Sequence, residues 1–188
     1  MAQRMSIPRG RAAWLAAAVL ALLVPAHLAA QQGRPGTVTV HHYHSELDDT
    51  DQPYSVWLPR DYSPARKWPL VVQLHGLGGS YRMGRPRREI EDCIVVAPDG
   101  RGNTDYKLWG ETDVVRVIAE VKKLYSVDPD RVYLYGVSMG GSGTWQIGVH
   151  YPDLFAALGP ICGNADHRVW EKLWLWGEAN PTYLTPKK

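Results

Sequence analysis

The 188-residue sequence has little that could hold a fold together covalently: two cysteines, Cys93 and Cys162, and no His/Cys cluster with the ligand spacing of a zinc site. That excludes a disulfide-stapled mini-protein and a structural metal domain. Charge is also scarce. Charged residues make up 21% against 45% hydrophobic, and eight tryptophans add apolar bulk, so the chain is not a disordered one and its length allows one globular domain. The first thirty residues hold no acid, only Arg4, Arg9 and Arg11. Without those three the net charge of +2 becomes 18 bases against 19 acids. Such a balance lacks the basic face that a nucleic-acid partner needs, and no nucleic acid is expected.

Missing too is an apolar run long enough to cross a bilayer comfortably. The stretch from Ala12 to Ala26 falls short of the ~20 residues required. It follows the arginines and leads into Ala29-Ala30 and the polar Gln31-Gln32, the layout of a secretory signal peptide. Residues 1–30 are therefore expected to be a cleaved signal peptide. That leaves no stable membrane anchor and a secreted or periplasmic domain over residues 31–188. Export permits disulfides, yet Cys93 would open one strand and Cys162 would close another at the opposite edge of a parallel sheet. The expectation is two buried free thiols.

What is present is strand and helix alternation. Thr37 to Tyr43 and Pro53 to Pro59 alternate β-formers with polar residues across a turn-rich stretch, Asp48 to Gln52, and predict an antiparallel hairpin. Then come near-continuous apolar runs at 70–74, 94–97, 132–135 and 156–161, which suit strands buried on both faces. Between the second and third, Val114, Val117, Ile118, Val121 and Leu124 mark one face of a helix over 111–125. A turn at 126–130 follows it. A second helix should run from about Gly140 to His150 and stop before Pro152. The pattern is α/β: a mostly parallel sheet with an N-terminal antiparallel hairpin and helices on both faces. A last apolar run, Leu173 to Trp176, could add a strand. The crossover from Ser80 to Cys93 is short and carries Arg82, Arg85, Arg87 and Arg88, leaving little room for an apolar helix face. Those arginines read as solvated surface, with a basic rim for an anionic substrate as the alternative.

Gly136-Val137-Ser138-Met139-Gly140 is a G-x-S-x-G sequence set directly between a predicted buried strand and a predicted helix. Glycines on either side permit a sharp, strained turn that lifts the Ser138 hydroxyl above the sheet edge, as a catalytic nucleophile requires. His75-Gly76-Leu77-Gly78-Gly79 ends another strand at the same carboxyl edge, where open α/β sheets bind ligands. The N–H groups of Leu77 and Met139 could form an oxyanion hole, with Gly76 as the alternative donor.

The order of the hairpin and the strings Pro69 to Gly79, Ala97 to Gly102, Asp128 to Tyr133, Gly136 to Gly141 and Tyr151 to Ala157 resembles secreted α/β-hydrolases. Polyhydroxybutyrate-depolymerase-like, feruloyl-esterase-like and prolyl-oligopeptidase-like hydrolases share these strings, over roughly residues 37 to 182. The resemblance implies the α/β-hydrolase fold, Ser138 as nucleophile, Leu77 and Met139 as oxyanion donors, and acyl transfer with no cofactor and no metal. It implies a small-molecule or polymeric ester substrate; oligomeric state leaves no mark in the sequence.

A triad also needs a base and an orienting acid. In the family the acid follows the next strand and the histidine comes later. Here Asn180 occupies the acid position, and no histidine follows, so the carboxyl-terminal part reads as incomplete and the triad acid and base as lost. One substitute remains, His167 with Asp166 beside it, on a loop next to the nucleophile strand. Three readings follow: a serine carboxylesterase, an inactive hydrolase-like binding protein, and a prolyl-oligopeptidase-type peptidase.

Overall fold

A computed structural model describes residues 33–165. The first expected strands form β1 (Val38–Ser45) and β2 (Thr50–Trp57), paired antiparallel from Val38 opposite Trp57 to Ser45 opposite Thr50. The apolar runs become β3 (Trp68–Leu74), β4 (Ile94–Pro98), β5 (Val127–Val137) and β6 (Ala157–Ile161). They form one six-stranded sheet in the order β1-β2-β4-β3-β5-β6. The β4-β3, β3-β5 and β5-β6 pairs are parallel, and β2 joins β4 antiparallel. Strand β5 starts earlier than its apolar run. Val127 already pairs with Trp68, and the expected turn at Asp128-Pro129-Asp130 is an excursion inside the strand, where the register shifts before Val132 meets Leu70.

Helix α1 (Trp109–Leu124) buries Val114, Val117, Ile118 and Val121, the face its periodicity marks. Helix α2 (Met139–His150) starts one residue past Ser138 and ends before Pro152. Both pack on one face of the sheet against Leu70, Val72, Leu74, Ile94, Val96 and Leu134, alternate residues of three strands. The opposite face presents Trp57, Val71 and Val95, covered by Met83, Ile90 and Cys93. Its cover comes from the arginine-rich 80–93 segment, whose helical content is the 3-10 turn Arg88–Ile90. Helical elements therefore lie on both faces, but unequally.

The two thiols are free, as expected, but not both buried. Cys93 is half-buried under the thinner face, whereas Cys162 is exposed just past β6, whose residues are themselves exposed or half-buried. Among the described residues no helix is long and apolar enough to cross a membrane. The expected signal peptide, the run at 173–176, Asp166, His167 and Asn180 lie outside the described residues.

Candidate active site

Ser138 is the single residue between β5 and α2, with φ 58° and ψ −118°. A side chain held there stores on the order of 1–3 kcal/mol of backbone strain. The surroundings impose it. Ser138 N–H donates to Ile161 O at 2.9 Å, and its own carbonyl accepts from Ser142 N–H at 3.0 Å. A Cβ on Gly136 would sit 2.5 Å from the Gly140 carbonyl carbon, and one on Gly140 would sit 2.8 Å from that of Leu74. Only glycine lets the strand end, the helix start and β3 meet so closely. The Ser138 side chain is exposed, and its hydroxyl has no hydrogen-bond partner among the described residues.

The loop after β3 lies against this turn. A Cβ on Gly76 would be 3.9 Å from Ser138 Cβ and 3.3 Å from Val137 O. Gly79 N–H donates to Gly76 O at 2.9 Å and Gly78 has φ 77°, which makes Gly76–Gly79 a type II turn with Leu77 at its tip. His75 Nδ1 also faces Gly76 O at 2.8 Å. A trans peptide points its N–H opposite its C=O, so the Leu77 N–H is directed away from the interior of the turn. Among the described residues, the N–H groups of Leu77 and Met139 donate to no acceptor. Met139 also opens α2, whose positive dipole end favours negative charge.

The described histidines occupy other posts. His75 Nε2 faces Asp99 O at 2.9 Å, so both ring nitrogens meet carbonyl oxygens. His41 Nε2 meets the Tyr125 hydroxyl at 3.0 Å while its ring stacks on Tyr54, and burial lowers its pKa, helped by His42. His42 and His44 share β1, which stands four strand spacings, about 19 Å, from β5. His150 Nδ1 meets Glu111 Oε1 at 2.9 Å at the far end of α2, about 17 Å along the axis from its start.

Sequence reasoning missed the loop between β4 and α1. Arg101 is fully buried at its centre, and its guanidinium donates to Asp113 at 2.5 Å, to Asp48 at 2.5 Å and to Ser45 at 2.7 Å. Burial pushes the Asp113 carboxyl up against the pull of that guanidinium, whereas the hydrogen bond from Arg101 holds the Asp48 carboxyl down. The two directions differ because Asp113, on the inner side of α1, is buried and Asp48 reaches solvent. A cavity of about 410 Å³ opens beside the same loop, lined by His42, Asp51, Gln52, Tyr81, Arg82 and Asp99. Among the described residues no cluster of His, Cys, Asp and Glu could hold a metal ion.

The Esterase family model matches residues 45–187. The bifunctional acetylxylan esterase/xylanase XynS20E of Neocallimastix patriciarum is 33% identical over 120 residues, 57% of this chain and 17% of that protein. Poly(3-hydroxyalkanoate) depolymerase C of Paucimonas lemoignei is 38% identical over 118 residues, 51% of this chain and 28% of that protein. The chain thus spans less than a third of the length of these curated relatives. Among solved structures, a thermostable esterase superposes with a TM-score of 0.57 at 29% identity, over 72% of this chain and 44% of that one. The ferulic acid esterase AmCE1/Fae1A of Anaeromyces mucronatus has the same fold, with a TM-score of 0.57 at 21% identity over 71% of this chain and 61% of that one. With its sheet order, its strand-to-helix turn at Ser138 and a family match over residues 45–187, the chain belongs to the Esterase family and has the α/β-hydrolase fold.

Proposed function

We propose that the protein hydrolyses carboxylic esters with Ser138 as its nucleophile. Ser138 Oγ attacks the acyl carbon, the carbonyl oxygen becomes an oxyanion held by the N–H groups of Leu77 and Met139, and the alcohol leaves with a proton. Water then attacks the acyl-enzyme, releasing the acid and returning the proton to Oγ. The observation that carries this reading is the strained Ser138 turn with an exposed hydroxyl, placed against the Gly76–Gly79 turn in a chain of the Esterase family. Relatives at 33% and 38% identity are named for acetylxylan and poly(3-hydroxyalkanoate), which favours small or polymeric esters over the peptide bonds of the alternative reading. Secretion by a signal peptide at 1–30 fits substrates too large to enter a cell.

A base must take the serine proton. Each described histidine is tied to another partner or stands on the far hairpin, which leaves His167 with Asp166 as the chain's own candidate pair. At the position where the family's acid belongs stands Asn180. Hydrolysis of p-nitrophenyl acetate and butyrate by the full chain separates these readings. Turnover lost in both Ser138→Ala and His167→Ala makes His167 the base. Loss in Ser138→Ala alone, by about 10⁴-fold or more, keeps the nucleophile and excludes His167. A folded chain no faster than its Ser138→Ala variant binds at most, and the esterase reading fails.

A further inference from the structure

We propose that Asn103 is a positioning residue that sets the geometry of the oxyanion turn. The inference rests on the reading of Ser138 and Leu77 given above. The observation behind it is a grip of the β4–α1 loop on the turn that follows β3, made by four hydrogen bonds. His75 Nε2 meets Asp99 O at 2.9 Å, Gly78 N–H donates to Asn103 Oδ1 at 2.8 Å, Tyr81 N–H donates to Asp99 Oδ1 at 3.3 Å, and the Tyr106 hydroxyl donates to His75 O at 3.1 Å. Three of the four bonds hold the two flanks of the turn. Asn103 alone reaches the tip, at the peptide immediately after Leu77.

That peptide is the one a β-turn can flip. Types I and II differ chiefly in the plane between their two central residues, here Leu77 and Gly78, and glycine at the second position accepts either sign of φ. Nothing local therefore fixes the plane. The bond from Gly78 N–H to Asn103 does so from outside the turn, and with it the ψ of Leu77. The gripping loop is itself rigidly placed. Arg101, two residues before Asn103, carries φ 63° and ties the loop through buried bonds to Asp113 on α1 and to Ser45 on β1. Thr104 Oγ1, on the other side, donates to Gly100 O at 2.7 Å. Asn103 is thus a half-buried acceptor on a fixed support, aimed at the least constrained peptide of the turn that carries the Leu77 N–H.

The test compares Asn103→Ala and Asn103→Asp in the full chain. Removing an oxyanion donor outright costs about 10²–10³ in kcat, so loosening one should cost about 10- to 30-fold, with KM within about twofold. Asn103→Asp keeps a side-chain oxygen for Gly78 N–H and should recover kcat to within about threefold of wild type. Amide hydrogen exchange should speed up in the peptide covering 75–79 of the alanine variant and stay unchanged over 136–142. Melting temperature reports whether either variant is simply less folded. An active wild type with kcat of Asn103→Ala within about twofold overturns the proposal and leaves the esterase reading standing. Equal losses in the two variants also overturn it, since the accepted hydrogen bond would then be irrelevant. A wild type that neither turns over ester nor reacts at Ser138 with a fluorophosphonate overturns the serine-hydrolase reading and this inference with it.

Discussion

At the Ser138 turn the backbone is held by what its neighbours lack, since Gly136 and Gly140 leave room for β5, α2 and β3 to touch, whereas the Gly76–Gly79 turn is held by what distant residues supply. The partners of the second turn, Asp99, Asn103 and Tyr106, come from a loop 18 to 31 positions later in sequence. That loop in turn depends on Arg101, which reaches back to Ser45 and forward to Asp113. One turn is a local steric object. The other is the end of a chain of side-chain contacts, so its failures should be graded where those of the first are abrupt.

The largest stability effect should come from the root of that chain. Arg101→Met leaves Asp113 buried without its cation and should cost about 3–5 kcal/mol in urea denaturation, with much of the loss recovered in Arg101→Met/Asp113→Leu. A loss confined to a few tenths would show that the loop stands without its anchor. Next is the steric turn. Gly140→Ala puts a Cβ 2.8 Å from the Leu74 carbonyl carbon and 2.9 Å from His75 O, backbone atoms that cannot swing aside, and should cost about 1–3 kcal/mol with ester turnover falling in step. A Gly140→Ala protein with wild-type stability and kcat would mean the close approach is not what shapes the turn. Tyr106→Phe removes one of the four grips and should cost about 1 kcal/mol and a few-fold in kcat, a graded response of the second turn.

The smallest effect is one of pH and lies in neither turn. His41 is half-buried and its pKa is lowered by burial and by His42, so the unfolded chain binds a proton more readily than the folded one. This contribution is present above the ordinary imidazole pKa of about 6.5 and is lost as pH falls from there through the lowered folded value. Melting temperature should therefore drop on acidification through that window, and His41→Gln should flatten the slope. An unchanged slope would assign the drop to other groups.

The contrast between the turns also explains what the sequence could disclose. The strands are legible because 70–74, 94–97 and 132–135 are near-continuous apolar runs, and burial on both faces is what such runs predict. The Ser138 turn is legible because the glycines that permit it, Gly136 and Gly140, lie within five residues. The early start of β5 is not, since the residues of Asp128-Pro129-Asp130 suggest a turn, whereas they form an excursion inside the strand, enclosed by pairing on both sides. Arg101 is not legible either. An arginine between two loop glycines reads as solvent-facing, and its burial becomes affordable only once Asp48, Ser45 and Asp113 converge on it.

The uneven cover of the sheet has a consequence for how the chain can be opened. Over 80–93 the thinner face is roofed by a segment with one 3-10 turn and exposed Arg82, Arg85, Arg87 and Arg88, a stretch of low local unfolding cost and ready substrate for trypsin. A cut there falls after the Gly76–Gly79 turn and before β4, and it severs no strand. The two fragments would remain joined by the β3-β4 and β3-β5 ladders and by the grip of the 99–106 loop. The same segment is thus where new termini, or an inserted domain, can be introduced while the sheet stays intact.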